Sequence, residues 1–242
     1  MSMLLDPALD VTLAAPLAPA VRNALLATIP TLDGDARMAF WSGRPVLRDL
    51  ASSCATLWLD PRDGQLYPVV HTGGVQWLAR NLAFDVGDGC WEWGSDAYRH
   101  ADDAERRAHG LLYSAAGAAR ATPPGWRLPT DEEWRALTTT YGGFNQDGVA
   151  DETPGRRAYE RLRVGGDSGF DAMLAGVRDP DDAWFHRRGR QGIYWTSTMT
   201  TLSPIDGQPR LHSWTFTQVP RADVRRGHAR ADAGLSVRLV RG

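Results

Sequence analysis

Apolar residues recur at helical spacing in two stretches of the chain, and several shorter stretches alternate at strand spacing. Ala108, Leu111, Leu112, Ala115 and Ala119 form a stripe within Asp102–Arg120, which predicts a helix over 103–120. A second helix is predicted over 131–141, where Trp134 and Leu137 begin a buried face. Thr130 is its N-cap, and Glu133 completes a capping box in which each side chain satisfies an orphan backbone donor of the first turn. Asp131, Glu132 and Glu133 put negative charge at the positive end of the helix dipole, and Gly142-Gly143 ends the helix. Pro123, Pro124 and Pro129 stiffen the approach.

Strands are predicted from Thr56 onward. Thr56–Leu59 is an apolar run followed by the turn DPRDG, Asp60–Gly64, where Pro presets φ and Gly accepts positive φ. Leu66–His71 and Val75–Leu78 read as strands joined by a hairpin turn at Gly73-Gly74. Cys90-Trp91-Glu92-Trp93 lies among glycines and reads as a folded loop pinned by its rings. The segment 145–166 is polar, with little periodicity apart from Tyr159 and Leu162, and reads as a long connection with a short helix. Ser213–Val219 alternates, with Trp214, Phe216 and Gln218 on one side and Ser213, Thr215 and Thr217 on the other. The polar, basic stretch that follows, PRADVRRGHARADAG, reads as a surface loop.

Residues 1–50 read as an N-terminal extension ahead of a domain at 51–242. Pro19–Thr28 predicts a short amphipathic helix, with Ala18, Val21, Leu25 and Leu26 on one side and Pro30 ending it. Phe40-Trp41 and Val46-Leu47 are short strands or loop anchors. The extension is either a cap packed on the domain or a docking segment for a larger assembly; apolar stripes more often serve a core, which favours the cap. The opening MSMLLDPALDVTLAAPLAPAV has no basic n-region, and Asp6, Pro7 and Asp10 break its apolar runs. Neither a signal peptide nor membrane insertion is expected, and a cytoplasmic or particle-borne location follows.

Composition changes this picture little. Of 242 residues, 43% are hydrophobic and 23% charged, which is ordinary for a soluble globular chain. The net charge of −2 gives no pull toward nucleic acid or an anionic membrane. The basic residues are all Arg, and ten Trp demand burial or a binding role. Cys54 and Cys90 allow one disulfide but no disulfide framework, and a reduced, buried pair is expected. The histidines, His71, His100, His109, His186, His212 and His228, are scattered, with no HExxH or similar i, i+4 ligand pair. No Gly-rich phosphate loop, nucleophile elbow or serine-triad motif is present. No catalytic residue, metal or cofactor is therefore expected.

The phrase GWRLPTDEEWRAL, Gly125–Leu137, resembles the GWHVPTDAEW signature of the Fibrobacter succinogenes major paralogous domain. Further phrases follow that family in order. VQWLARNL (Val75–Leu82) resembles QVWMAENL, HGLLYSAAG (His109–Gly117) resembles YGALYNWYA, and SGFDAMLAG (Ser168–Gly176) resembles SGFNALPGG. GIYWTST (Gly192–Thr198) resembles GYWWSST, and GLSVRLVRG (Gly234–Gly242) resembles GFSVRCLR. The resemblance implies an α+β, C-type-lectin-like fold with two main helices, short antiparallel sheets and an N-terminal extension, in which the last strand returns to pair near the first. Formylglycine-generating enzymes and the variable proteins of diversity-generating retroelements share that wider fold.

The first of these relatives implies an enzyme, with chemistry carried by paired cysteines near the C-terminus. No cysteine follows Cys90 here, and Leu239 stands where some relatives carry Cys. Thiolate redox or copper chemistry of that kind has no ligands in this chain. Gln208-Pro209-Arg210 and Trp214 resemble part of the sugar-binding calcium loop of C-type lectins, but Arg210 replaces the acid and Thr215 the Asn. Calcium needs six to eight oxygens, with carboxylates among them, so no calcium is expected.

In the retroelement variable proteins, mutagenised codons fall in the C-terminal segment while the closing strand stays fixed. The resemblance thus implies a non-catalytic protein that displays a C-terminal ligand-binding surface. Its residues here are Thr198, Arg210, His212, Ser213, Thr215, Thr217, Arg221, Asp223, Arg225, Arg226, His228 and Arg230. Such a surface is either diversified or a fixed binding or assembly module. The ligand is a protein or glycan, and five clustered Arg and His residues favour an acidic one. The alternative is an enzyme of the formylglycine-generating type with altered chemistry.

Overall fold

The computed structural model describes residues 36, 39, 40, 42, 43, 56–93, 109–146, 150–200 and 207–242. The readings made for Pro19–Thr28, Trp41, Val46-Leu47, Cys54 and residues 101–108 lie outside the described residues. The chain divides into two compact units, Met1–Leu66 and Tyr67–Gly242. In the first, strand β1 (Leu57–Leu59) runs into the predicted turn. Gly64 takes φ +68 and its N–H donates to the Asp60 carbonyl at 2.9 Å, while the buried Asp60 carboxylate accepts from the Arg62 guanidinium at 2.6 and 2.9 Å.

The second unit is mixed α+β. Strands β2 (Leu66–Thr72) and β3 (Val75–Leu78) form a hairpin across Gly73 and Gly74, both at positive φ as a tight right-twisting turn requires. The closing strand β12 (Val240–Arg241) pairs with β3, Val240 opposite Trp77, so the chain's last strand does return toward its first hairpin. The larger sheet is built from β4 (Cys90–Trp91), β5 (Leu112–Tyr113), β8 (Gln191–Met199), β9 (Arg210–Thr217), β10 (Asp223–Arg230) and β11 (Leu235–Ser236). Its order is β10–β9–β8–β11–β5–β4. Its pairs are antiparallel except β8–β11, which is parallel at Ser236 and Tyr194. A small hairpin, β6 (Val177–Arg178) with β7 (Phe185–His186), precedes β8.

Among the described residues the helices α1 (Ala115–Ala121), α2 (Asp131–Thr140) and α3 (Thr153–Leu162) accompany these sheets. The capping box of α2 forms as expected, and Gly142 and Gly143 follow it at φ +133 and +110. Within the helix predicted over 103–120, the described part is interrupted between His109 and Ser114. Gly110 takes φ +74, the Leu111 N–H donates to the Leu82 carbonyl at 3.0 Å, and Leu112-Tyr113 joins the sheet before Ser114 caps α1. A side chain at Gly110 would place its Cβ 2.7 Å from the Leu82 carbonyl oxygen, so only glycine allows that approach. Cys90-Trp91 is a strand rather than a loop, and the polar segment after Pro220 forms β10 rather than a loop. The segment 145–166 does contain a helix, α3, of the same length as α2.

The core centres on Trp134 of α2. Its ring meets Trp77 at 4.9 Å, Tyr194 at 5.2 Å, Phe170 at 5.8 Å, Phe216 at 6.0 Å and Trp214 at 6.5 Å. Each buried indole N–H has an acceptor: Trp77 donates to Thr72 O, Trp134 to Trp195 O, Trp195 to Tyr113 O and Trp214 to Asp131 Oδ1. Beside this cluster lies the fully buried Arg238. Its guanidinium donates to Asn81 Oδ1 at 2.7 Å and to the carbonyls of Leu78, Phe170 and Asp171 at 3.0, 2.8 and 2.5 Å.

Arg238→Met removes those donors and leaves four buried acceptors without them. It should cost about 3–5 kcal/mol in urea unfolding, since neutral carbonyl and amide oxygens are left buried without donors. A loss below about 1 kcal/mol would mean that water or relaxation replaces the network. The α2 cap should show its own pH signature. The Arg127 guanidinium, assisted by the Thr130 N–H, holds Glu133 below its ordinary value of 4.5. A depressed carboxylate stabilises the fold above its unfolded pKa and loses that contribution as pH falls through the folded one. The stability gap between wild type and Glu133→Gln should therefore stay constant above the ordinary carboxylate value of 4.5 and close as pH falls below it, measured by urea titration.

Candidate functional site

Strands β8, β9 and β10 alternate apolar and polar side chains, and their register sorts the predicted residues onto two faces. Phe216 stands opposite Val224 and Gly192, and Trp214 opposite Arg226 and Tyr194. These positions face the Trp134 cluster, and the same row continues through His212–His228 to Arg210–Arg230. The other row places Thr217 between Asp223 and Gln191, Thr215 between Arg225 and Ile193, and Ser213 between Gly227 and Trp195. At one end this second row opens outward. Gln191, Ile193, Thr215, Thr217 and Arg225 line a cavity of about 700 Å³, with Glu152, Arg187, Pro220, Arg221, Asp223 and Arg226.

Half of the predicted site residues thus meet at one cavity: Thr215, Thr217, Arg221, Asp223, Arg225 and Arg226. The other six do not line it. Ser213 is buried beneath the sheet, where its hydroxyl cannot meet a ligand. Thr198 is committed to the helix: its Oγ1 accepts the Asp131 N–H at 3.0 Å, so it supports the start of α2. Asp223 lines the cavity but is 9% exposed. Its carboxylate accepts from Asn145 Nδ2 at 2.5 Å and from Arg225 Nε. A Cβ at Gly155 would lie 2.5 Å from Asp223 Oδ1, so α3 can approach this pair only with glycine there.

The expected basic patch is electrostatically balanced. Arg221 and Arg225 both meet Glu152, at 3.2 and 3.1 Å, and Arg225 also pairs with Asp223. Arg226 meets Asp131 at 2.9 Å. Arg230 meets Asp181 and Asp232 at 2.5 and 2.7 Å, which raises its pKa above the ordinary arginine value, Asp232 contributing most. Arg221, Arg226 and His228 are exposed as expected, whereas Arg225 and Arg230 are half-buried. Asp223 and Asp232 are neighbours in sequence, but the other balancing carboxylates lie on α2, before α3 and in the β6–β7 turn, where the sequence does not reveal them.

Asp131 is the principal residue that sequence reasoning missed as a site component. It sits at the first position of α2, fully buried, and its Oδ1 accepts both Trp214 Nε1 and Arg226 Nε. Arg226 Nη2 also lies 2.9 Å from His212 Nε2. A guanidinium only donates, so a hydrogen bond between them needs Nε2 as the acceptor. Arg187, Gln191 and Ile193 were also missed; the signal was the Arg-rich run HRRGR just before the β8 strand. Asp179, Asp182 and His186 bring one ligand atom each within 4.8 Å of one another on the β6–β7 hairpin, and Asp182 and His186 form an i, i+4 pair where the sequence predicts none.

Cys90 is a free, half-buried thiol, and Cys54 lies outside the described residues. Burial first, and then the hydrogen bond to Asp85, push the Cys90 thiol up to about 11, so it stays protonated and unreactive near neutral pH. Leu239 is buried in the closing segment. Among the described residues, no helix is long and apolar enough to cross a membrane.

The family model of the Fibrobacter succinogenes major domain matches residues 70–241. No curated protein and no solved structure matches the chain.

The two kinds of hairpin arginine should separate in stability measurements. Arg226→Ser leaves the buried Asp131 carboxylate short of a donor and should cost about 1–3 kcal/mol in chemical denaturation. Arg221→Ser removes an exposed pair and should stay within about 0.5 kcal/mol. Equal small losses for both would show that Asp131 does not depend on Arg226.

Proposed function

The chain belongs to the Fibrobacter succinogenes major domain family, and on that footing we propose that it is a non-catalytic ligand-binding protein with a C-type-lectin-like scaffold. The outer face of β8–β9–β10 is its binding surface. One observation carries this reading: a single set of strands turns Trp214, Phe216, Tyr194 and Val224 into the core and leaves Thr215, Thr217, Arg225 and Ile193 around an open cavity of about 700 Å³. The inner row bears the packing cost of any change, and the outer row is free to vary in chemistry. Threonine hydroxyls, an amide and guanidinium groups around an aliphatic floor supply hydrogen bonding with modest apolar area, which suits recognition of a protein or glycan surface.

Within this reading, retroelement diversification supplies a reason for the separation of the two rows. A near-copy of the coding sequence for residues 195–242, differing mainly at adenines and lying beside a reverse transcriptase gene, would establish it. Without such a copy the fixed binding module stands.

Binding is tested on defined glycan and peptide arrays probed with the full chain. A ligand found there should bind about tenfold or more weaker to Thr215→Tyr, whose ring fills the cavity from a half-buried strand position. Unchanged affinity would move the site elsewhere, with residues 1–50 the next region to test. Chemical turnover of the array ligand by the purified protein would overturn the non-catalytic reading.

A further inference from the structure

We infer that the outer face grips an extended, acidic polypeptide segment, and that its charge determinant is the turn Arg187–Arg190 rather than the C-terminal hairpin. This rests on the reading of that face as a binding surface. The cavity described above adjoins a second, of about 660 Å³, and both are lined by Arg187 and Ile193. Together they make one groove along β8, longer than a single compact ligand needs.

The charges in the groove are unequal in availability. Arg221 and Arg225 are held by Glu152, and Arg225 also by Asp223. Arg188 is held over Trp93 and against His109. Arg187 and Arg190 are exposed, and neither forms an ion pair among the described residues; Arg187 donates only to the neutral amide oxygen of Gln191, at 2.9 Å. Asp179, which shares the second cavity, is the opposing charge, and its Oδ1 already accepts the Asp181 N–H. These two guanidinium groups are therefore the positive charge that the fold leaves unspent.

The turn that carries them is rigid. The N–H groups of Arg190 and Gln191 both donate to the Arg187 carbonyl at 2.9 Å. Gly189 N–H donates to Leu174 O at 2.8 Å, and the Arg190 carbonyl accepts from Gln218 N–H at 2.9 Å. Ties on both sides fix the backbone that carries the two cations, so no backbone ordering is required on binding. A carboxylate is the group that a guanidinium fork matches geometrically.

A peptide fits better than a glycan because the apolar wall is aliphatic. Ile193, Ala229 and Leu235 line the groove, whereas sugar rings are held chiefly by open aromatic faces. The aromatic ring there, Trp93, is already covered by Phe185 at 5.4 Å and by Arg188. The matching partner alternates acidic and aliphatic side chains along an extended backbone.

The test uses the full chain and a fluorescein-labelled peptide of about eight residues alternating Glu and Val, about 25 Å long when extended. Fluorescence anisotropy should show binding that weakens about tenfold or more in Arg187→Gln/Arg190→Gln and on raising salt from about 50 to 500 mM. Arg221→Gln should change it less than about twofold, because that charge is already neutralised. The Gln–Val peptide should bind about tenfold weaker than Glu–Val. Unaltered near-UV circular dichroism of the double variant guards against misfolding. No binding at about 1 mM peptide, or binding indifferent to Arg187 and Arg190, would overturn the inference. Tighter binding of a polyuronate oligosaccharide would overturn the choice of a peptide. If array ligands still respond to Thr215→Tyr while the Glu–Val peptide ignores the arginine pair, the binding face survives and only its acidic partner falls.

Discussion

The fold depends on burying one cation. Arg238 comes from the closing phrase SVRLVRG, and no part of it meets water. Desolvation lowers its pKa and would be prohibitive for an unpaired charge. Four oxygens offset it, and they come from separate parts of the chain: Leu78 at the end of β3, Asn81 just beyond, and Phe170 and Asp171 in the loop before β6. The guanidinium also lies over the Phe170 ring at 4.6 Å. Asp171 takes φ +52, an unusual value for a residue with a side chain, in the loop that presents its carbonyl. Asn81 extends the network to His109 O and Ser236 Oγ. Displacing any one segment leaves donors or acceptors buried and unpaired, so these distant phrases hold one arrangement together.

A second polar anchor, Asp131, carries that order to strands β8, β9 and β10. Trp134 one turn later fills the core, while Asp131 reaches across to Trp214 and Arg226 on β9 and β10. Thr198 on β8 accepts the Asp131 N–H in return. One helix start thereby fixes three strands. The same contacts sort the polar residues there: Thr198, Asp223 and Arg226 are tied into the fold, while Thr215, Thr217 and Arg187 line the cavity.

The elements with strong local signals were legible in the sequence. The capping box and first turn of α2, the Gly73-Gly74 hairpin, and the alternation of Trp214 and Phe216 with Thr215 and Thr217 all follow from side-chain chemistry within a few residues. The family was legible too, through phrases that hold the chain's structural hubs, the Asp131–Trp134 turn and Arg238 among them. What tertiary structure alone decided was long-range pairing. Leu111–Tyr113 carries a helical stripe, but Gly110 and the Leu82 carbonyl turn it into a strand. The run after Pro220 has a loop's polarity, yet β9 offers it a full ladder of partners. Charge was the least legible property. Arginines that cluster in sequence at 221–230 are neutralised partly by their neighbours Asp223 and Asp232 and partly by carboxylates brought from 131, 152 and 181, whereas Arg187 and Arg190 form no ion pair among the described residues, because electrostatic balance is set by distance in space.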